Sequence, residues 1–276
     1  MGHRTALITG AGGGLGHATV ERLVANGWKV FAADISTDLL RSSMHDPDVV
    51  PILMDVTDRE SIKSAYETIS SHTDRLDGVV NFAGVIGLGS LTDIPEERLA
   101  RILDINVMGT FRVNKKFLPL LEAAKGRIVN ISSETGWQSA APFNGPYAMS
   151  KYAIEAYSTA LRRELALLGI RVITVQPGPF RTDMVAGIER SFTQAENETQ
   201  KFASVIRALK GLAAKQINSA HDPDILAQVI ETALTAKRPK PVYSVKPDRL
   251  RSSLEKLPLG VIDRVYATVL RRAYKE

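Results

Sequence analysis

The stretch Thr9-Gly10-Ala11-Gly12-Gly13-Gly14-Leu15-Gly16 decides how this chain folds. It follows the apolar run Ala6-Leu7-Ile8 and opens Leu15–Asn26, where apolar residues recur at helical spacing. Glycines let the backbone turn sharply and come close to a bulky anion with no Cβ in the way. Free N–H groups at a helix start then attract phosphate. A glycine-rich turn alone is a weak signal, but one between a strand and a helix predicts a dinucleotide site at Gly10, Gly12, Gly13, Gly14, Leu15 and Gly16.

Working outward, short β-rich runs alternate with helical patterns. The strands expected are Ala6–Thr9, Lys29–Ala33, Val50–Met54, Gly78–Asn81, Arg127–Ile131 and Arg171–Gln176, with Pro241–Val245 as a last one. They are apolar on both faces, as parallel strands covered above and below must be. Helices are expected over Leu15–Asn26, Arg59–Ser71, Pro95–Ala124, Tyr147–Leu168 and Pro223–Ala236, the last with Asp222 as N-cap. This pattern predicts an α/β fold, a doubly wound parallel sheet of Rossmann type. Residues 1–276 read as one domain. About 181–222 form a polar helical lid, and about 246–276 form a helical C-terminal extension interrupted at Pro258–Gly260.

The 276 residues are 44% hydrophobic, enough for a large core, and the mean hydropathy is −0.05. There is no cysteine, which excludes disulfides, thiolate metal sites and a cysteine nucleophile, and no metal is expected. The N-terminus runs straight into the first strand, so a cleaved signal is not expected, and no apolar run approaches the ~20 residues of a membrane span. A cytoplasmic protein follows as the expectation. The net charge of +5 comes without zinc-finger spacing or an RNP-type aromatic signature. It predicts a solvated basic surface and no nucleic-acid partner.

Several strand ends carry chemistry. Asp34 lies eighteen residues past Gly16, near the ~20-residue spacing of an acid that binds the ribose hydroxyls of NAD. Its charge repels the extra phosphate of NADP, and its neighbours Ala33 and Ile35 offer no cation, so NAD is the expected cofactor, with NADP second. Asp55-Val56 and Asn81-Phe82-Ala83-Gly84 also end strands, where ligands bind in such sheets. Asp55 is placed to accept from an adenine amino group, while Asn81, Ala83 and Gly84 shape the wall beside the adenosine. Tyr147 and Lys151 are four residues apart on one helical face. A phenol of pKa about 10 is a poor base until a cation favours its phenolate.

These residues together resemble the short-chain dehydrogenase/reductase family. The match comprises Thr9-Gly10-x-x-x-Gly14-x-Gly16, Asp55, Asn81-x-Ala83-Gly84, Asn106, Ser133, Tyr147-x-x-x-Lys151 and Pro177-Gly178, in the family's order over about the first 185 residues. The tail, from Lys237-Arg238-Pro239-Lys240-Pro241-Val242-Tyr243 into a Leu-rich basic helix, is more loosely similar to the steroid and retinol dehydrogenase branch.

The resemblance implies a catalytic set of Asn106, Ser133, Tyr147 and Lys151. Tyr147 is the general base for alcohol oxidation and the acid for ketone reduction. Lys151 lowers the phenol's pKa and binds the nicotinamide ribose. Ser133, rather than Ser132, holds the substrate oxygen. Asn106 holds a water in a proton relay, the alternative being an amide that caps a helix distortion. Pro177, Gly178, Phe180 and Thr182 border the nicotinamide, with Thr182 on its carboxamide and Phe180 intruding on the pocket. The Ser133-to-Tyr147 gap of fourteen residues is one longer than the family's commonest spacing.

Glu134, Trp137, Phe143, Pro179 and Met184 are expected at the substrate cavity, with Glu134 either facing solvent or touching a polar substituent. They favour an apolar secondary alcohol or ketone. The expected activity is NAD-dependent dehydrogenation of a steroid, retinol or other lipid-like alcohol. The alternatives are an NADPH-dependent ketone or 3-oxoacyl reductase and a non-catalytic dinucleotide-binding protein. The basic tail reads first as a cover for the cleft or a subunit contact, and second as a membrane-surface helix. A homodimer or homotetramer is implied by the resemblance alone.

Overall fold

Seven parallel strands form one sheet in the order β3-β2-β1-β4-β5-β6-β7. They are β1 (Arg4–Thr9), β2 (Trp28–Asp34), β3 (Val49–Leu53), β4 (Gly78–Asn81), β5 (Arg127–Ile131), β6 (Arg171–Pro177) and β7 (Val242–Val245). The structure is a computed structural model and describes residues 3–36, 40, 46–182, 184–217 and 220–275, with backbone alone at 184–186, 212–217 and 275. The chain order reverses between β1 and β4, which pair in register Ala6↔Gly78 to Thr9↔Asn81. That reversal is the switch point where such sheets open a crevice at their carboxyl ends.

Helices cover both faces. On one, α1 (Gly14–Ala25) and α8 (Pro223–Thr235) bury Val20, Leu23, Leu226 and Ile230 against Ile8, Val30 and Val129. On the other, α2 (Arg59–His72), α4 (Thr110–Ala124) and α5 (Gly145–Leu165) bury Ile62, Ile69, Phe117, Leu121 and Leu165 against Leu7, Val79 and Val172. Each large side chain removed from water there contributes about 1.5–3 kcal/mol. Asp58 and Asp222 cap α2 and α8 by accepting from Glu60 N and Asp224 N, and Pro223 fits the first turn of α8.

The helix expected over Pro95–Ala124 is broken in register. It runs as α3 (Glu96–Leu103), a π-helical turn at Asp104–Gly109, and then α4. The expected lid segment forms α6 (Met184–Asn197) and α7 (Ala203–Ile217). Their inner residues Ile188, Phe192, Ala195 and Ile206, with Phe202 just before α7, pack on Ile86, Leu88 and Phe143. The tail forms α9 (Arg249–Leu254) and α10 (Leu259–Lys275), with Ile262 of α10 buried.

Candidate active site

The nucleotide loop is shaped by close backbone approaches. Gly10 has φ +65°, and a Cβ there would stand 2.8 Å from Ala83 N, so only glycine fits. Gly13 precedes α1 without a side-chain cap, which leaves the first N–H groups of that helix for an anion. Leu15 packs into the core behind the loop. Asp34 is buried at the end of β2, where its carboxylate accepts from Gly12 N at 2.9 Å and Ile35 N at 2.8 Å. Ile35, 63% exposed, offers an apolar surface beside it. A bare helix start, a cradle that any Cβ would fill and a carboxylate at the second strand's end fit a nicotinamide dinucleotide.

Other strand-end residues are placed differently from the sequence expectation. Asn81 turns its amide in between the sheet and its helices. Its side chain is buried and donates to Asn114 Oδ1 at 2.8 Å and Asn130 Oδ1 at 2.9 Å, while Asn114 donates to Tyr157 and Asn130 to Ser158. This network ties β4 and β5 to α4 and α5, while Asn81 Oδ1 is buried without a hydrogen-bond partner among the described residues. Asp55 turns its Oδ1 to the backbone N–H and hydroxyl of Thr57. The Val56 side chain packs against Gly109 in the π turn. Gly84 lies under Asn106, with room for a Cβ only 3.1 Å from Asn106 Oδ1. Of this set, Ala83 remains beside the glycine loop.

Ser132 and Ser133 leave β5 in opposite directions. Ser132 is buried, and its hydroxyl points to Lys151 O at 3.4 Å. Ser133 caps the following 3₁₀ turn, Glu134–Gly136, and its hydroxyl lies against the Tyr147 phenol. Of the two serines, Ser133 is the one beside the phenol. Tyr147 and Lys151 share one face of α5, with Lys151 Nζ 5.5 Å from the centre of the tyrosine ring.

Lys151 does not lower the Tyr147 pKa with protein groups alone around it. Burial pushes the phenol up to about 12, the Ser133 hydrogen bond pulls it down, and the Glu134 charge raises it further. Lys151 is itself pushed down by burial to about 8, with Glu155 working the other way, and it donates to Ile131 O at 3.0 Å. The cause is desolvation, which penalises the charged form of both groups.

Asn106 is buried in the π turn. Its Oδ1 accepts from Val85 N at 2.8 Å, and its Nδ2 donates to Val85 O at 2.9 Å and Ser150 Oγ at 3.0 Å. Ser150 in turn donates to Tyr147 O at 2.7 Å. Both amide N–H donors are engaged, and this side chain links the loop after β4 to the helix that carries Tyr147. The π turn that presents it is a common device at functional sites.

Past β6, Pro177 pairs with Val245, and Gly178 sits so close to the tail that a Cβ would be 2.0 Å from Lys246 O. Pro179 O accepts from His221 N. The Phe180 side chain does not intrude on the pocket. Its ring is buried in the core near His221 and Leu226, because residues 179–181 pair with His221 and turn it inward. Thr182 stands over Gly14, its Cγ2 2.9 Å from where a Cβ would be, at the phosphate end of the cleft. Met184 opens α6, and its side chain lies outside the described residues.

On the substrate side, Phe143 has φ +63° and packs its ring 5.5 Å from Phe202 of the lid. A bulky residue in that left-handed region is strained and is held there by its surroundings. Trp137 is half-buried, and its indole N–H has no partner among the described residues. Glu134 neither faces solvent nor points to a substituent. Its Oε2 accepts from Asp248 N at 2.6 Å and its Oε1 is 4.0 Å from Arg251, so the tail covers it. Sequence reasoning missed the tail's partners on this loop, Gln138 and Ser139, since nothing local marks two polar residues for contacts more than 110 positions away.

A hydroxyl pair and an ammonium at the mouth of a dinucleotide cleft define an oxidoreductase of CH–OH groups. Residues 4–192 match the short chain dehydrogenase family, and the chain belongs to it, within the retinol and steroid dehydrogenase-like branch. It is 33% identical over 255 residues to retinol dehydrogenase 16 of Rattus norvegicus, covering 86% of this chain and 78% of that protein. It is 30% identical over 288 residues to the NADPH-dependent 3-dehydrocapnine reductase of Ornithobacterium rhinotracheale, covering 99% of both. A short-chain dehydrogenase structure from Streptomyces avermitilis superposes with a TM-score of 0.76 at 26% identity, covering 98% of this chain and 95% of that one.

Proposed function

We propose that the protein is an NAD(H)-dependent oxidoreductase of apolar secondary alcohols and ketones, of the steroid, retinol or other lipid-like kind. The observation that carries the cofactor choice is Asp34, a buried carboxylate at the end of β2 fixed by two backbone N–H groups. It accepts ribose hydroxyls and repels a 2′-phosphate. The apolar cluster of Leu88, Phe143, Phe192 and Phe202 under the lid supports an apolar substrate, as do the names of the retinol dehydrogenase relatives.

The nicotinamide supplies hydride acceptance during oxidation and hydride donation during reduction. Tyr147 takes the alcohol's hydroxyl proton as the hydride leaves carbon, and returns it in reduction. Ser133 hydrogen-bonds the oxygen on which charge develops. Lys151 lends positive charge beneath the phenol and binds ribose hydroxyls. Asn106, through Ser150, fixes where Tyr147 stands.

We propose further a cytoplasmic homodimer or homotetramer. Exposed Met108, Phe111, Met149 and Tyr152 around the π turn, α4 and α5 support the oligomer. No helix among the described residues is long and apolar enough to cross a membrane. The docking of α9 on the Glu134 loop supports the reading of the tail as a cleft cover rather than a membrane-surface helix.

A panel of secondary alcohols, each assayed with NAD and with NADP by absorbance of the reduced cofactor, tests the proposal. An apolar alcohol turned over faster with NAD supports it. Equal or better use of NADP, as the name of the capnine reductase relative suggests for that protein, removes the NAD assignment. Turnover of none of the panel removes the substrate class.

A further inference from the structure

The loop that carries Ser133 is fastened to the tail at both ends. At its start, Glu134 accepts from Asp248 N at 2.6 Å with Arg251 at 4.0 Å. At its end, Glu255 accepts from Ser139 N at 2.8 Å and from Ser139 Oγ at 2.9 Å. Between them Gln138, fully buried, donates to Ser252 Oγ at 3.1 Å. The same tail crosses Gly178 at Lys246, so it touches both walls of the substrate side.

These contacts are built rather than incidental. Two carboxylates are turned inward to backbone N–H groups, and charge-assisted bonds of this kind are among the stronger ones. The seam is also unsealed: Trp137 Nε1, Gln138 Oε1 and Arg251 Nη2 are buried there without a hydrogen-bond partner among the described residues. Buried polar atoms left this way mark a polar seam rather than an apolar core.

We propose that Asp248–Glu255 is a strap that positions the catalytic-serine loop, buckled by Glu134 at one end and by the Ser139–Glu255 pair at the other. Neither Ser139 nor Glu255 touches the reacting atoms, so both are positioning residues. The proposal rests on the hydride-transfer reading only in its kinetic consequence.

The test uses the full chain with Ser139→Ala, Glu255→Gln and the double substitution. Amide hydrogen exchange over residues 134–139, NADH affinity by fluorescence and steady-state kinetics are measured on each. Each single change is expected to speed exchange of the loop about tenfold and to lower kcat about tenfold, with NADH affinity within about twofold. The double variant is expected to lose less than the sum of the singles, since both changes strike the one Ser139–Glu255 pair, whose backbone bond Ser139→Ala leaves in place. Unchanged exchange in the loop, or losses that add in the double variant, overturns the proposal. Should Glu255→Gln fail to fold, Ser139→Ala decides alone by exchange. If the unaltered protein turns over no alcohol, the activity reading fails while exchange still judges the strap.

Discussion

Lys151 Nζ stands 5.5 Å from the centre of the Tyr147 ring while donating to Ile131 O at 3.0 Å. The ammonium is thus anchored to the end of β5 and placed under the phenol by the helix spacing. Burial works against both charges, pushing the phenol up to about 12 and the ammonium down to about 8. Such opposed displacements suit a site that must pass a proton at neutral pH only when a cationic ring is bound nearby.

Tyr147→Phe should lower the rate by about a hundred- to ten-thousand-fold, the usual worth of a positioned acid or base. NADH affinity should change little, which fluorescence titration checks. In the unaltered protein, the high phenol pKa implies that kcat/KM for oxidation rises with pH through the neutral and alkaline range while reduction falls. A flat oxidation profile would contradict the assignment.

Lys151→Met should abolish activity yet stabilise the fold near neutral pH. The unfolded chain holds the lysine proton up to its ordinary value of 10.5, whereas the folded site releases it above about 8. Between those values the unfolded state binds more protons, so the stability of the unaltered protein rises with pH there. The methionine variant escapes the burial penalty and gains about 1–3 kcal/mol at pH 7, shrinking as pH climbs through 8 to 10.5. Denaturant melts at pH 7 and pH 10 read both limbs.

Asp34→Ala removes the carboxylate that Gly12 N and Ile35 N hold. Turnover with NAD should fall about ten- to a hundredfold, and NADP should be used at least as well as NAD. Comparing kcat/KM for the two cofactors tests this. An unaltered preference would show that Asp34 does not choose the cofactor.

Asn81→Ala strips two donors from the buried amide network and leaves Asn114 and Asn130 under-satisfied. It should cost about 2–4 kcal/mol in denaturant melts. The cofactor dissociation constant of the folded fraction should stay within about twofold, which separates a role in the sheet from a role in the cleft.

The strands and the glycine loop were legible because parallel strands read as apolar runs and the nucleotide turn needs glycine where Gly10 meets Ala83. The Ser133, Tyr147 and Lys151 set was legible from spacing along one helix and the motif order. What stayed hidden was orientation. Asn81, Phe180 and Asn106 occupy the expected places, yet their side chains turn toward the core, toward His221 and toward Val85. Motif position fixes a Cα, and partners remote in sequence decide where the side chain goes. Glu134 shows this most clearly, since its partner Asp248 is 114 residues away.

The contact of Gly10 with Ala83 separates two tasks along the chain. Backbone against backbone fixes the width of the coenzyme cleft, so few substitutions there are tolerable. The lid helices α6 and α7, by contrast, meet the rest of the chain through side chains, on Ile86 and Leu88 after β4 and on Phe143. An engineer seeking a new alcohol could therefore recast residues 184–217 without touching that width, while keeping Asp248–Glu255, whose bonds hold the loop that carries Ser133.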